Sequence, residues 1–181
     1  AGGVNPAACA AACAAACDKA GVAPRIAVVE GDDLTARAAA FAGVTEMFAG
    51  APFPPADKIA SINAYLGAGP ILRALAAGAQ IVVAGRCADS ALALAACMHR
   101  FGWTAADHDR LSAGALAGHL LECGPQSTGG NFTDWFAAGD TAAIGYPITE
   151  VDRDGAVTLT KAPDTGGLVT PATATEQMLY E

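Results

Sequence analysis

The sequence predicts an α/β fold: a parallel sheet with flanking helices, followed by an α+β appendage with a short antiparallel hairpin. Three observations predict it. Two short β-branched runs, Arg25-Ile26-Ala27-Val28-Val29 and Ile81-Val82-Val83-Ala84, lie among segments of helical composition. That helix–strand–helix–strand order suits parallel strands joined by crossovers. From Cys123 onward the composition changes to Gly, Ser, Thr and Asn. There Pro147 to Val151 and Ala156 to Lys161 flank the turn Asp152-Arg153-Asp154-Gly155. The boundary between the two parts is placed at Cys123, giving an α/β sheet domain over residues 1–123 and a Gly-rich loop and hairpin over 124–181.

Asn5 and Pro6 read as an N-cap and first helical residue, and Gly21 as the stop of a helix reaching about Ala20. Arg25 to Val29 is apolar enough for a strand buried on both faces. It ends in Glu30-Gly31-Asp32-Asp33, where a helix is expected to begin. Pro52 to Pro55 marks a loop. Ser61 to Ala77 reads as helical, interrupted at Gly67-Ala68-Gly69-Pro70 and ended by Gly78. Ile81 to Ala84 delivers Gly85-Arg86 to a turn before a helix from Ala88 to Arg100. Thr104-Ala105-Ala106-Asp107 resembles a capping box with Asp in place of Glu, opening a helix to about Glu122. Gly129-Gly130 and Gly166-Gly167 suit tight turns, and Thr175 to Glu181 the start of a last helix.

Of 181 residues 53 % are hydrophobic, but Ala supplies 46 and Leu, Ile, Val and Phe together 36. Close-packed Ala-rich helices are therefore expected rather than a bulky aromatic core. A mean hydropathy of +0.35 with 15 % charged residues excludes disorder. Ten Lys and Arg against 18 Asp and Glu leave a net charge of −8 and no basic surface able to neutralise a run of phosphates, which argues against nucleic acid. No apolar run reaches the ~18–20 residues of a membrane span, and no signal peptide is evident, so a cytoplasmic protein with reduced thiols is expected. Cys9, Cys13 and Cys17 follow i, i+4, i+8 spacing and spread too far to share one metal, so they are expected as small buried side chains at a helix contact. With no initiating Met, the chain is expected to belong to a longer protein.

Ligands of open α/β sheets bind beyond the carboxyl ends of the strands, which selects two clusters. Glu30, Asp32 and Asp33 place three carboxylates within four residues, suited to acid/base work or to a divalent cation such as Mg²⁺; equally, one of them caps the next helix. Gly85-Arg86-Cys87-Ala88-Asp89-Ser90 offers Arg86 as a clamp for a carboxylate or phosphate, Asp89 to orient it and Ser90 as a hydroxyl. Alternatively Arg86 and Asp89 form a local ion pair. A third cluster pairs His119 with Glu122 at i, i+3, running into the donor-rich loop Gly129, Gly130, Asn131 and Asp134 bordered by aromatics. Cys123 as a nucleophile has only His119 as a nearby base. GxxxxGK[ST], GxGxxG, HExxH and GxSxG are all absent from the sequence.

Seven segments in order carry a resemblance: Ala1-Gly2-Gly3-Val4-Asn5-Pro6, Val29-Glu30-Gly31-Asp32-Asp33, Asn63-Ala64-Tyr65-Leu66-Gly67-Ala68, Gly85-Arg86 with Asp89-Ser90-Ala91-Leu92, Gly118-His119-Leu120-Leu121-Glu122-Cys123-Gly124, Thr128-Gly129-Gly130 with Asp134-Trp135, and Thr165-Gly166-Gly167-Leu168-Val169 before Glu176-Gln177. Together they resemble the acyclic terpene utilisation protein A (AtuA) family, over essentially the whole chain and matching the middle of its longer members. The resemblance implies a role in breakdown of citronellol- or geraniol-type compounds as coenzyme A thioesters, beside an acyl-CoA carboxylase. No catalytic residue carries over from it.

The leading expectation is hydratase or lyase chemistry on a branched acyl-CoA, with the thioester as substrate and no resident cofactor assigned. Both reactions need a proton moved beside a thioester-stabilised enolate. His119 and Glu122 are the first candidates for the acid/base pair, with Glu30, Asp32 and Asp33 second. Arg86 and the Gly129-Gly130 backbone are candidates for the anionic part of the ligand. Polyphosphate binding by so acidic a chain would need Arg86, Arg73 and Lys161 to converge. The rival expectation is a non-catalytic assembly module for the carboxylase, its small-residue helix faces forming subunit contacts. A homo-oligomer is expected.

Overall fold

Asn5 and Pro6 begin the first helix as the sequence predicts. In the computed structural model, which describes residues 4–180, helix α1 spans Pro6–Lys19, and the Asn5 side chain accepts from the Ala8 N–H at 3.0 Å. Ala1, Gly2 and Gly3 of the first motif, and Glu181, lie outside the described residues. The chain divides into two compact units, the first ending at Ala88 and the second beginning at Asp89.

In the first unit β1 (Ile26–Val29) pairs in parallel with β2 (Ile81–Ala84), from Ile26 opposite Ile81 to Val29 opposite Ala84. Between them runs α2 (Ala68–Ala76); α1 and α2 both contact the sheet. Two strands cannot enclose a strand on both faces, so Val28 stays 40 % exposed, unlike the doubly buried strand that its composition suggests. The cysteine series is likewise less enclosed than expected. On α1 only Ala10 is buried, Cys13 and Cys17 on that side are half-buried, and Cys9 is exposed.

Two expected helices give way to tertiary hydrogen bonds. Residues 61–67 are extended, because Asn63 bridges Asp33 in antiparallel sense and Leu66 bridges Cys87 in parallel sense. After Glu30-Gly31-Asp32-Asp33 the chain makes that bridge first, and only a 3₁₀ helix follows, at Thr35–Phe41.

The second unit begins with α3 (Ala91–Phe101), ended by Gly102 at φ 71°, and α4 (His108–Glu122). The Thr104–Asp107 box forms one turn ahead of α4: Asp107 accepts from both the Thr104 N–H and hydroxyl at 2.7 Å. α3 and α4 pack closely because Gly118 has no side chain; a Cβ there would lie 2.7 Å from the Ser90 backbone. The hairpin forms as expected from β3 (Pro147–Val151) and β4 (Val157–Lys161), antiparallel. The last helix, α5 (Pro171–Tyr180), starts earlier than Thr175, because Thr170 and Thr173 exchange backbone-to-hydroxyl bonds of 3.0 and 3.1 Å across its first turn. Among the described residues no helix is long and apolar enough to cross a membrane.

Candidate active site

Three of the sequence motifs converge at the carboxyl ends of β1 and β2. Asp32, one turn of chain past β1, is only 4 % exposed. Its Oδ2 accepts from Asn63 Nδ2 at 3.0 Å and from the Arg86 N–H at 2.9 Å. The bonds Ala64 N–H to Asp32 O (2.8 Å), Leu66 N–H to Arg86 O (3.1 Å) and Ala88 N–H to Leu66 O (2.9 Å) lace the same three segments together. Gly85 makes this possible, since a Cβ there would overlap the Asp32 carboxylate. The glycine is thus required by close approach of a charged group and not by its φ.

A buried carboxylate costs free energy unless donors or cations compensate it. Here two donors meet Oδ2, and among the described residues none meets Oδ1. Oδ1 is the carboxylate atom closest to the place a Gly85 Cβ would take, and Asp32 as a whole is buried. Beside it the Arg86 side chain is exposed and lies over the Tyr65 ring, 5.5 Å from guanidinium carbon to ring centroid. The ion pairs among the described residues are Arg110–Asp107 and Arg110–Asp154, so Arg86 makes none, with Asp89 or any other acid. The site therefore offers a buried carboxylate held by two donors, with the exposed Arg86 side chain on the segment that supplies one of them.

The other carboxylates of the cluster do not join Asp32. Glu30 is exposed. Asp33 accepts from the Thr35 N–H at 2.9 Å, the local cap that was its alternative reading, and hydrogen bonds from Thr35 hold its carboxyl below the ordinary value. Among the described residues no three His, Cys, Asp or Glu side chains gather to hold a metal ion, so the three-carboxylate cation site is not assembled.

In the second unit His119 and Gln177 clasp each other. His119 Nε2 lies 3.1 Å from the Gln177 carbonyl oxygen, and Gln177 Nε2 donates to the His119 carbonyl at 3.1 Å. A carbonyl only accepts, so the neutral imidazole carries its proton on Nε2 and presents Nδ1 as the lone pair. Glu122 is exposed and accepts from the Cys123 thiol; no hydrogen bond joins it to His119. Gly129 and Gly130 turn tightly, Gly129 at φ 107°, and their N–H groups donate to Gln126 O (3.0 Å) and Pro125 O (2.9 Å), so both are already used within the loop. Asn131, Asp134 and Asp89 are exposed; Ser90 is half-buried beneath Gly118. Lys161 Nζ donates to Thr165 O at 2.8 Å.

Sequence reasoning missed Asn63 and Gly85 as members of the site, and Gln177 as the partner of His119. All three stand inside the motifs that carry the resemblance, which was the available signal.

The first unit is thus an α/β unit, a helix-flanked parallel pair of strands with a buried carboxylate and an exposed arginine past its carboxyl ends. The chain matches the family described as "Acyclic terpene utilisation family protein AtuA" over residues 1–181, and it belongs to that family. Neither a curated protein nor a solved structure matches it.

Proposed function

We propose that this chain carries part of the active site of a hydratase or carbon–carbon lyase acting on an acyclic, branched acyl-CoA. The observation that carries the reading is Asp32: a buried carboxylate held through Oδ2 by Asn63 and by the backbone N–H of Arg86, whose own side chain is exposed. Arg86 binds an anionic group of the substrate, a carboxylate or a phosphate of the coenzyme. The Asp32 carboxylate accepts a proton. In hydration the proton comes from water, whose hydroxyl adds to the β-carbon of an unsaturated thioester while the α-carbon gains a proton. In the lyase direction it comes from a β-hydroxyl, whose oxygen becomes a carbonyl as the Cα–Cβ bond breaks, leaving an enolate that is protonated at Cα. The family, acyclic terpene utilisation, supports the branched chain. His119 and Glu122 remain proton-transfer candidates of the second unit, with His119 Nδ1 as the available base.

The test is a thermal-shift titration of the intact protein with free coenzyme A, acetyl-CoA and a geranyl-type CoA thioester. A ligand at 100 times its dissociation constant adds ~2.7 kcal/mol to the native state. The expected result is stabilisation by the branched thioester beyond coenzyme A, abolished by Arg86→Gln and retained by Asp32→Asn, which instead stops turnover. Absence of a shift with every thioester overturns the reading in favour of the carboxylase-assembly role.

A further inference from the structure

The second unit contains a concavity of about 380 Å³ that the proposed site does not use. It opens where three elements turn apolar faces to one place. α3 contributes Ala93, Cys97 and Phe101 at i, i+4, i+8; α4 contributes Leu121; and β3 contributes Val151. Interiors normally close such spaces at crystal-like packing density. Here Ala93, Ala96 and Cys97 of α3 end at Cβ or one atom beyond it and leave the space between Phe101 and β3 unfilled. Burial pushes the Cys97 thiol up, so it lines the wall as a small neutral group and not as a thiolate.

At the edge of this apolar wall stands Arg100, one helical turn beyond Cys97 and exposed. Among the described residues it has no carboxylate and no hydrogen-bond partner; both ion pairs belong to Arg110. Its position at the rim of an apolar concavity, and not its lack of an ion pair, is what sets Arg100 apart, since only Arg110 is ion-paired among the described Lys and Arg residues.

We infer that this concavity is a binding site for an aliphatic carboxylate, its chain against α3, α4 and β3 and its carboxylate on Arg100. The volume lies within the ~300–1,000 Å³ of small-ligand pockets. At the ~30 Å³ that a water-sized group occupies, it holds roughly ten methylene-sized groups. The unpaired guanidinium selects an anionic head over a neutral or cationic one. All the residues lie within the second unit, so the inference does not rest on the Asp32–Arg86 reading.

Calorimetric titration of the intact protein with decanoate, decanol and decylamine, each below its micelle concentration, tests it. Decanoate should bind saturably with one site per chain, decanol about tenfold more weakly, and decylamine not at all. Arg100→Gln should bring decanoate down to the level of decanol and leave decanol unchanged. Ala93→Leu and Ala96→Leu, which place a branched side chain in the concavity, should abolish both while keeping the unfolding midpoint. Absence of saturable decanoate binding overturns the inference, as does binding that is indifferent to Arg100→Gln. A change of oligomeric state in Ala93→Leu, with decanoate binding intact, would assign the face to a second copy of the chain and overturn it as well.

Discussion

Asp32 and Gln177 are the central buried polar side chains of the two units, and they are held in opposite ways. Asp32 is a charge whose one oxygen takes two donors, from a backbone N–H and an amide, while the other packs against Gly85. Gln177, 1 % exposed, is neutral and exchanges bonds with one residue, His119, side chain to backbone in each direction. The reciprocal arrangement fastens α5 to α4 and leaves Gln177 Oε1 enclosed without a partner. The Asp32 arrangement ties the chain after β1 to residues 61–67 and to the end of β2. Burial of a polar group alone does not mark a site; a buried charge at the carboxyl ends of parallel strands is the stronger candidate.

The sharpest way to break that contrast is Gly85→Ala. A Cβ there overlaps the Asp32 carboxylate, so Asp32 must leave its donors or the end of β2 must shift. We expect a loss of about 3 kcal/mol from strain and orphaned N–H groups, read by urea unfolding, together with loss of any thioester-induced thermal shift. Gly67→Ala is the control: nothing lies within 4 Å of its added carbon, and it should change stability little. Gly118→Ala in the second unit meets the Ser90 backbone at 2.7 Å and should cost about 1–3 kcal/mol while leaving the Arg86 site responsive. If Gly85→Ala and Gly118→Ala act alike on ligand binding, the distinction between the units fails.

Asp32→Asn should be milder, about 1–2 kcal/mol, because an amide oxygen still accepts from Asn63 and Arg86. It removes the charge, so a near-native unfolding midpoint with lost turnover is the outcome that separates Asp32 from a structural residue. In the second unit Gln177→Leu should cost about 1 kcal/mol, since it deletes one amide bond and also the orphaned Oε1. The His119 ring should remain the Nε2–H tautomer in this variant, because its acceptor is a backbone carbonyl. Long-range ¹H–¹⁵N correlation spectra of the neutral ring check this; a proton on Nδ1 would show that the clasp does not orient the imidazole.

These contrasts trace to what sequence patterns carry. The strands, the hairpin and most helix ends are legible because apolar runs, glycine and capping side chains act over a few residues. The stretch 61–67 misleads because its composition suits a helix while its bonds run to Asp33 and Cys87, partners distant in sequence. Asp32 and Asp33 look equivalent in the chain, yet one is buried against Gly85 and the other caps Thr35; only the approach of β2 distinguishes them. His119 and Glu122 share a helical face by spacing, but each finds its hydrogen bond elsewhere, in Gln177 and Cys123. Order along the chain revealed the motifs, and the meeting of β1, residues 61–67 and β2 revealed which of them come together.

The smallest expected effect compares the exposed caps of the two units. Bonds from Thr35 lower Asp33 below its ordinary 3.8, and bonds from the Thr104 backbone and hydroxyl, with a lesser part from Arg110, lower Asp107 below the same value. For a carboxyl depressed in the folded state, the unfolded chain takes up its proton first as pH falls. The stabilisation is therefore complete above about pH 3.8 and is lost as pH drops through the lower folded value. Asp33→Asn and Asp107→Asn should each lower the neutral plateau of a stability–pH curve slightly and so flatten its acid side. Because both groups are solvent-exposed, the two changes should be small and similar in spite of the different units. A much larger acid effect from Asp33→Asn would mean that its carboxylate does more than cap Thr35, and would overturn the reading of Asp33 as a local cap.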